Sequence, residues 1–186
     1  RDGEGFEVLT RRAGHESRRR AAAVAFATGY FGNPRRLGVP GEDAAWVTHR
    51  YRSPFHYFGE RVAVIGGGNS AVEAALELYR AGVDTTLVVR SSSVKKTIKY
   101  WLQPDLENRL AAGSIRAFFD TRVTAIGEGT VAAEGPRGAC EIPADRVLVL
   151  AGYTPEVALF EGAGVRVDPG TLVPEVDPDT CESNVA

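Results

Sequence analysis

The hexapeptide Gly66-Gly67-Gly68-Asn69-Ser70-Ala71 constrains this chain more than any other feature, because of what stands on either side of it. Before it runs Val62 to Ile65, an apolar stretch of strand length. After it, Val72, Leu76 and Tyr79 recur at helical spacing, and so do Ala71, Ala75 and Leu78. Gly82 ends that helix and Thr85 to Val89 reads as the next strand, so Arg61 to Arg90 holds strand, helix and strand within about 30 residues, as in a parallel crossover. The pattern G-x-G-x-x-A has a physical purpose at such a corner. Glycines permit a tight turn and close backbone approach to a pyrophosphate, and Ala71 lets helix and strand pack closely. The helix N-terminus presents free N–H groups and the positive end of its dipole. Asn69 and Ser70 are candidates to cap that helix. We therefore expect Gly66, Gly67, Gly68, Asn69, Ser70 and Ala71 to bind a dinucleotide.

The end of the second strand bears on which dinucleotide. A unit selective for NAD usually carries an acidic residue there to hold the ribose 2'-hydroxyl. Arg90 stands in that place, followed by Ser91 to Ser93 and by Lys95 and Lys96. A guanidinium can pair with a 2'-phosphate, and hydroxyl and ammonium groups can assist it. All the lysines of the chain, Lys95, Lys96 and Lys99, fall in this one stretch. Arg90, Ser91, Lys95 and Lys96 thus point to NADPH.

The remaining segments alternate between strand and turn patterns. Phe6 to Thr10 and Arg18 to Phe26 read as two strands joined by a turn, and the continuously apolar Ala21 to Phe26 reads as buried on both faces. That segment runs into a corner at Ala27-Thr28-Gly29 and Pro34. A polar link, Gly38 to Asp43, and an aromatic segment, Trp46 to Phe58, precede the crossover unit; Trp46, Tyr51, Phe55, Tyr57 and Phe58 are expected to pack between domains. Pro104 opens a short helix with Leu106 and Leu110 inward, closed by Gly113. Strands are expected at Ile115 to Phe119, Arg122 to Ile126, Val131 to Glu134, Cys140 to Ile142 and Val147 to Ala151, the last ending at Gly152-Tyr153-Thr154-Pro155.

Composition narrows the classes of function. A net charge of -2 gives no basic field to attract nucleic acid, and no apolar run approaches the roughly 20 residues needed to cross a bilayer. The two cysteines, Cys140 and Cys181, form no Cys-x-x-Cys or Cys/His ligand spacing, so neither a dithiol nor a metal site is expected and reduced cytoplasmic thiols are. His15, His49 and His56 have no acid or nucleophile placed beside them by spacing and are expected to be structural. Arginines at 11–12, 18–20 and 35–36 read as solvated turn and strand ends.

Over nearly its whole length the chain resembles the two-dinucleotide-domain flavoproteins related to thioredoxin reductase. Ala27-Thr28-Gly29 with Pro34 is similar to that family's exit from the flavin domain, Gly66 to Ala71 with Glu73 to its NADPH turn, and Gly152-Tyr153-Thr154-Pro155 to its return. Thioredoxin reductases place a Cys-x-x-Cys shortly before the NADPH-domain strand, where this chain has His49-Arg50-Tyr51-Arg52, so a thioredoxin-type dithiol mechanism is not expected. The resemblance is strongest to the bacillithiol disulfide reductase subgroup. It runs through His56-Tyr57, Gly68 to Val72, Ala74 to Gly82, and Ile98-Lys99-Tyr100-Trp101 with Pro104.

The resemblance implies an α/β fold: a Rossmann-like NAD(P)-binding domain with a parallel sheet, helices and a small antiparallel β-meander, inserted in an incomplete FAD-binding domain. Residues 1–43 and 146–186 would be flavin-domain pieces and residues 44–145 the NADPH-binding domain. The cofactors implied are NADPH and FAD, with Thr28, Gly29, Gly152 and Tyr153 at the flavin side. The first flavin motif, with the subgroup's proposed reactive cysteine beside it, is expected before Arg1, and the closing flavin segment after Ala186. Implied activity is electron transfer from NADPH through flavin to a low-molecular-weight disulfide, bacillithiol disulfide for example, by a homo-oligomer when full length. A ferredoxin or flavodoxin reductase of the same architecture, or a non-catalytic NADP-binding module, is the alternative.

Overall fold

The computed structural model describes residues 5–185. An antiparallel hairpin opens it, β1 (Phe6–Arg12) against β2 (His15–Ala21). A two-residue strand, β3 (Val47–Thr48), and a 3-10 turn over Pro54–Tyr57 follow. Then come β4 (Arg61–Ile65), α1 (Asn69–Arg80), β5 (Asp84–Val88), α2 (Gln103–Ala111) and β6 (Arg116–Phe118). A three-stranded antiparallel meander, β7 (Arg122–Gly127), β8 (Thr130–Gly135) and β9 (Gly138–Pro143), leads to β10 (Arg146–Val149) and the short helix α3 (Val157–Gly162).

Five strands form one parallel sheet in the order β3-β10-β4-β5-β6. Its central strands are apolar at nearly every position because both faces are covered. On β4, Val62 and Val64 join the core under α1 and α2 with Leu76, Leu78, Leu87 and Leu106, while Ala63 and Ile65 face the meander core of Val123, Ile126, Val131 and Ile142. Each such leucine or isoleucine contributes about 1.5–3 kcal/mol by leaving water. The sheet thus sits between a helical layer and a β layer. That rigid sandwich holds the glycine turn, which springs from the C-terminal end of its central strand. No helix among the described residues is long and apolar enough to cross a membrane.

Two local expectations are corrected. The second strand of the hairpin stops at Ala21, and residues 22–26 form no strand: Val24 is 42% exposed and Phe26 41%. A strand that is apolar all round needs sheet partners at its edges and layers over both faces, and none of the described residues supplies them. The link from Gly38 to Asp43 is polar in composition but anchored in structure. Glu42, only 4% exposed, accepts hydrogen bonds from the Leu37 and Gly38 N–H groups at 2.8 Å each and pairs with His49 Nε2 at 2.8 Å. Arg36 Nε lies 3.4 Å from the same carboxylate. His49, for which sequence spacing offered no acidic partner, is thus paired with Glu42. Of the aromatic segment, Tyr57 is buried, Tyr51 stacks beside it and Trp46 packs on the meander core, but Phe55 and Phe58 are 84% and 81% exposed. These two pack against nothing that would bury them among the described residues.

Candidate nucleotide-binding site

Each glycine of the turn answers a different demand. Gly66 has φ +147, and a Cβ there would lie 2.3 Å from the Leu150 carbonyl oxygen, so the turn closes against the chain leaving β10. A Cβ on Gly67 would meet Val89 Cγ1 at 2.9 Å. Gly68 is unlike both: its φ is -98, and a Cβ there would find only Lys95 Cδ, at 3.9 Å. Packing within the protein therefore accounts for Gly66 and Gly67, whereas the space over Gly68 is open in front of the α1 N-terminus. A pyrophosphate approaching the backbone fits that cradle, and a side chain would fill it. Ala71, fully buried, packs where sequence placed it, and a Cβ on Gly66 would lie only 3.1 Å from its own Cβ.

Asn69 does not cap α1; Gly68 is the capping residue, with no side-chain cap bond. The Asn69 side chain instead reaches the basic loop. Its Nδ2 donates to the Thr97 carbonyl at 3.1 Å, and its Oδ1 accepts from the Lys99 N–H at 2.8 Å. No side chain therefore caps the α1 N-terminus, although the Ala71 and Val72 N–H groups already donate to the Gly68 carbonyl at 3.1 Å each. Lys95 N–H donates to the Gly67 carbonyl at 2.8 Å, and Lys99 Nζ pairs with Glu73 at 2.6 Å. Four separate ties thus fold the loop after β5 onto the glycine turn and the start of α1.

Arg90 follows the buried end of β5, whose Val88 carbonyl accepts from Gly66 N–H at 3.0 Å, so its backbone leaves the strand close to the turn. Arg90, Lys95 and Lys96 are exposed and make no ion pair among the described residues, whereas Lys99 is neutralised by Glu73. Ser91 Oγ donates locally to Ser93 O at 3.0 Å. Three cations and an open cradle at a helix N-terminus suit an anionic ligand with more than one charged group.

Thr28 and Gly29 stand a few residues before a second constellation and make no hydrogen bond or ring contact within it among the described residues. Asn33 and Pro34, at their corner, meet the return corner across about 120 residues of chain: Arg35 N–H donates to Gly152 O at 2.9 Å and Thr154 N–H to Asn33 O at 2.9 Å. Phe31 and Tyr153 rings stand edge to face, 4.9 Å between centroids. Leu150, which meets Gly66, is two residues before Gly152, so the return corner leaves the sheet directly beside the glycine turn. Sequence reading missed the Asn69 and Glu73 ties and the Glu42–His49 anchor. Their partners are distant in sequence or unpatterned, and only the family resemblance, which set Glu73 with the glycine turn, hinted that this residue had a role there.

Residues 1–186 match the family described as pyridine nucleotide-disulphide oxidoreductase. The chain belongs to that family. Among pyridine nucleotide-disulphide oxidoreductases, the bacilliredoxin reductase Bdr of Bacillus subtilis is 38% identical over 160 residues, 86% of this chain and 49% of the relative. The solved bacillithiol disulfide reductase Bdr (YpdA) from Bacillus cereus superposes with a TM-score of 0.94 at 36% identity, over 99% of this chain and 57% of that one. A ferredoxin–NADP reductase of Thermus thermophilus is 30% identical over 178 residues, 90% of this chain and 52% of the relative. The chain spans about half the length of the curated relatives it matches. The mixed α/β architecture expected from sequence is the one these relatives share.

Proposed function

We propose that this chain is the NADPH-binding part of an FAD-dependent oxidoreductase that passes electrons from NADPH through flavin to a low-molecular-weight disulfide such as bacillithiol disulfide. The observation that carries the reading is the open cradle at Gly68, overlaid by a tethered basic loop with Arg90 beside it. In this reading the α1 N-terminus and the Gly68 backbone hold the pyrophosphate, and Arg90, Ser91, Lys95 and Lys96 hold the ribose 2'-phosphate. The acceptor is drawn from the Bdr relatives, whose similarity exceeds that of the ferredoxin–NADP reductase.

NADPH, when bound, supplies hydride; the chain orients it. Gly66 and Gly67 lock the turn against Leu150 and Val89, and Asn69 keeps the basic loop closed over it. For FAD the residues present are insufficient. The described residues contain one strand–glycine–helix turn, and Thr28, Gly29, Gly152 and Tyr153 offer corners without a second pyrophosphate cradle. We place the other flavin contacts in the parts of the relatives that this chain does not span. In the same reading β10 belongs to the inner NADPH domain, since it pairs with β3 and β4, and the crossing back to the flavin domain follows Leu150.

Anaerobic titration with NADPH of the protein at the full length of its relatives tests this. Flavin absorbance should bleach, and bacillithiol disulfide should restore it. Absence of flavin absorbance overturns the enzyme, and reoxidation by ferredoxin alone overturns the disulfide. Arg90→Glu should weaken NADPH binding roughly 10- to 100-fold, the worth of a charge-assisted hydrogen bond, with NADH little changed.

A further inference from the structure

At the other end of the parallel sheet lies a second concave site. Arg146 begins β10 and pairs with Val62, whereas Val149 pairs with Ile65 just before the glycine turn. Three residues of strand, about 10 Å, therefore separate the two ends. Here a cleft of about 350 Å³ is lined by Trp46, Thr48, Arg50, Arg52, His56 and Arg146. That volume lies within the range of small-molecule sites.

The cleft is built by the sheet, not by a mobile surface. Val147 N–H donates to the Trp46 carbonyl at 2.9 Å, and β3 pairs with β10 through Val47 and Thr48, so Trp46, Thr48 and Arg146 hold fixed positions. Thr48 Oγ1 accepts from the Arg50 N–H at 3.3 Å and turns the chain as it leaves the strand. Buried Tyr57 closes the inner wall. Burial raises the pKa of the Tyr57 phenol, and the positive charges of Arg146 and Arg52 act against that rise.

Charge in the cleft is unbalanced. Arg146 Nε is shared with the Glu60 carboxylate at 3.1 Å, but Arg50 and Arg52 make no ion pair among the described residues. The buried indole N–H of Trp46 has no acceptor there either. Three guanidiniums against one carboxylate leave about two positive charges over an aromatic wall. Guanidinium forks recognise carboxylate and phosphate oxygens in pairs.

We propose that this cleft binds a small dianion through carboxylate or phosphate oxygens held by Arg50 and Arg52, independently of the nucleotide turn. The site carries its own optical reporter, because Trp46 and Trp101 are the only tryptophans of the chain. In a Trp101→Phe background, succinate and inorganic phosphate are titrated separately at constant ionic strength while tryptophan fluorescence is followed. A saturable change is expected for at least one of them, and the tighter identifies the oxyanion class. Arg50→Gln and Arg52→Gln should each weaken it about 10-fold and the double variant should abolish it, with Arg137→Gln as an inert control. Both arginines are exposed, so thermal melting should be unchanged, and the variants' NADPH affinity should stay at the parent value. A response that chloride reproduces, anion affinity unaltered in the double variant, or NADPH affinity falling in parallel overturns the proposal. So does a cleft that takes neither anion yet is needed for an acidic protein to bind.

Discussion

The backbone N–H of Lys95 donates to the Gly67 carbonyl at 2.8 Å, which fastens the lysine-bearing loop onto the turn between β4 and α1. Asn69 adds two further ties, to Thr97 and Lys99. Each exposed hydrogen bond of this kind contributes about 1 kcal/mol. Asn69→Ala should therefore loosen residues 94–99 and weaken NADPH binding roughly 5- to 10-fold, while the melting temperature moves by only a few degrees. Hydrogen exchange over the loop separates this from a direct ligand contact: unchanged protection there, with affinity lost, would contradict the tether.

The glycines of the turn should part company on substitution. Gly66→Ala forces a Cβ to 2.3 Å from Leu150 O at a φ of +147, and should cost roughly 3 kcal/mol or more in stability, seen as a drop of roughly 10 °C in Tm. Gly68→Ala, whose Cβ meets only Lys95 Cδ at 3.9 Å, should keep its Tm and lose nucleotide affinity. Equal effects of the two on stability would mean that the space over Gly68 is not reserved for a ligand.

Glu42 links the chain before β3 to pH. Burial alone would raise its carboxyl, but the hydrogen bond with His49, the Leu37 and Gly38 N–H groups and the Arg36 charge outweigh burial and hold it at about 2. A carboxyl lower in the folded than in the unfolded state stabilises above its unfolded value, near 4.5, and loses that contribution as pH falls toward 2. The contribution is on the order of 3 kcal/mol at neutral pH. Urea melts between pH 6 and pH 2.5 should show that loss, and Glu42→Gln should flatten it while lowering neutral stability. Parallel pH profiles for parent and variant would remove Glu42 from the account.

Arg90, Lys95 and Lys96 are all exposed, so any preference they create for NADPH should be screened by salt. Raising sodium chloride from about 20 mM to about 500 mM should raise the Kd of NADPH by more than that of NADH. A constant ratio would place selectivity in buried contacts instead.

Legibility varied with the range of the interaction. The crossover unit was readable because its pattern is local: periodic apolar residues declare α1, and a glycine run at a strand end declares the turn. The positions of β5 through β10, though not their end residues, followed from apolar stretches for the same reason. Residues 22–26 misled, because an apolar run states only that burial is favourable and not whether a sheet is there to provide it. Asn69 misled in another way. A short polar side chain at a helix start ordinarily bonds the helix's own N–H groups, but the loop 28 to 30 residues onward offered it better-placed partners.

Residue type and spacing within one supersecondary unit were enough to specify the glycine turn, the buried strands around it, the basic character of the loop after β5 and the absence of a Cys-x-x-Cys. Folding in three dimensions settled the rest: which cations face the turn and which are neutralised, that Glu42 is a buried anchor, and that Arg50, Arg52 and Arg146 converge on one cleft. Those outcomes depend on strand order. β10 returns between β3 and β4 from nearly a hundred residues downstream of β3, and no local pattern encodes that pairing.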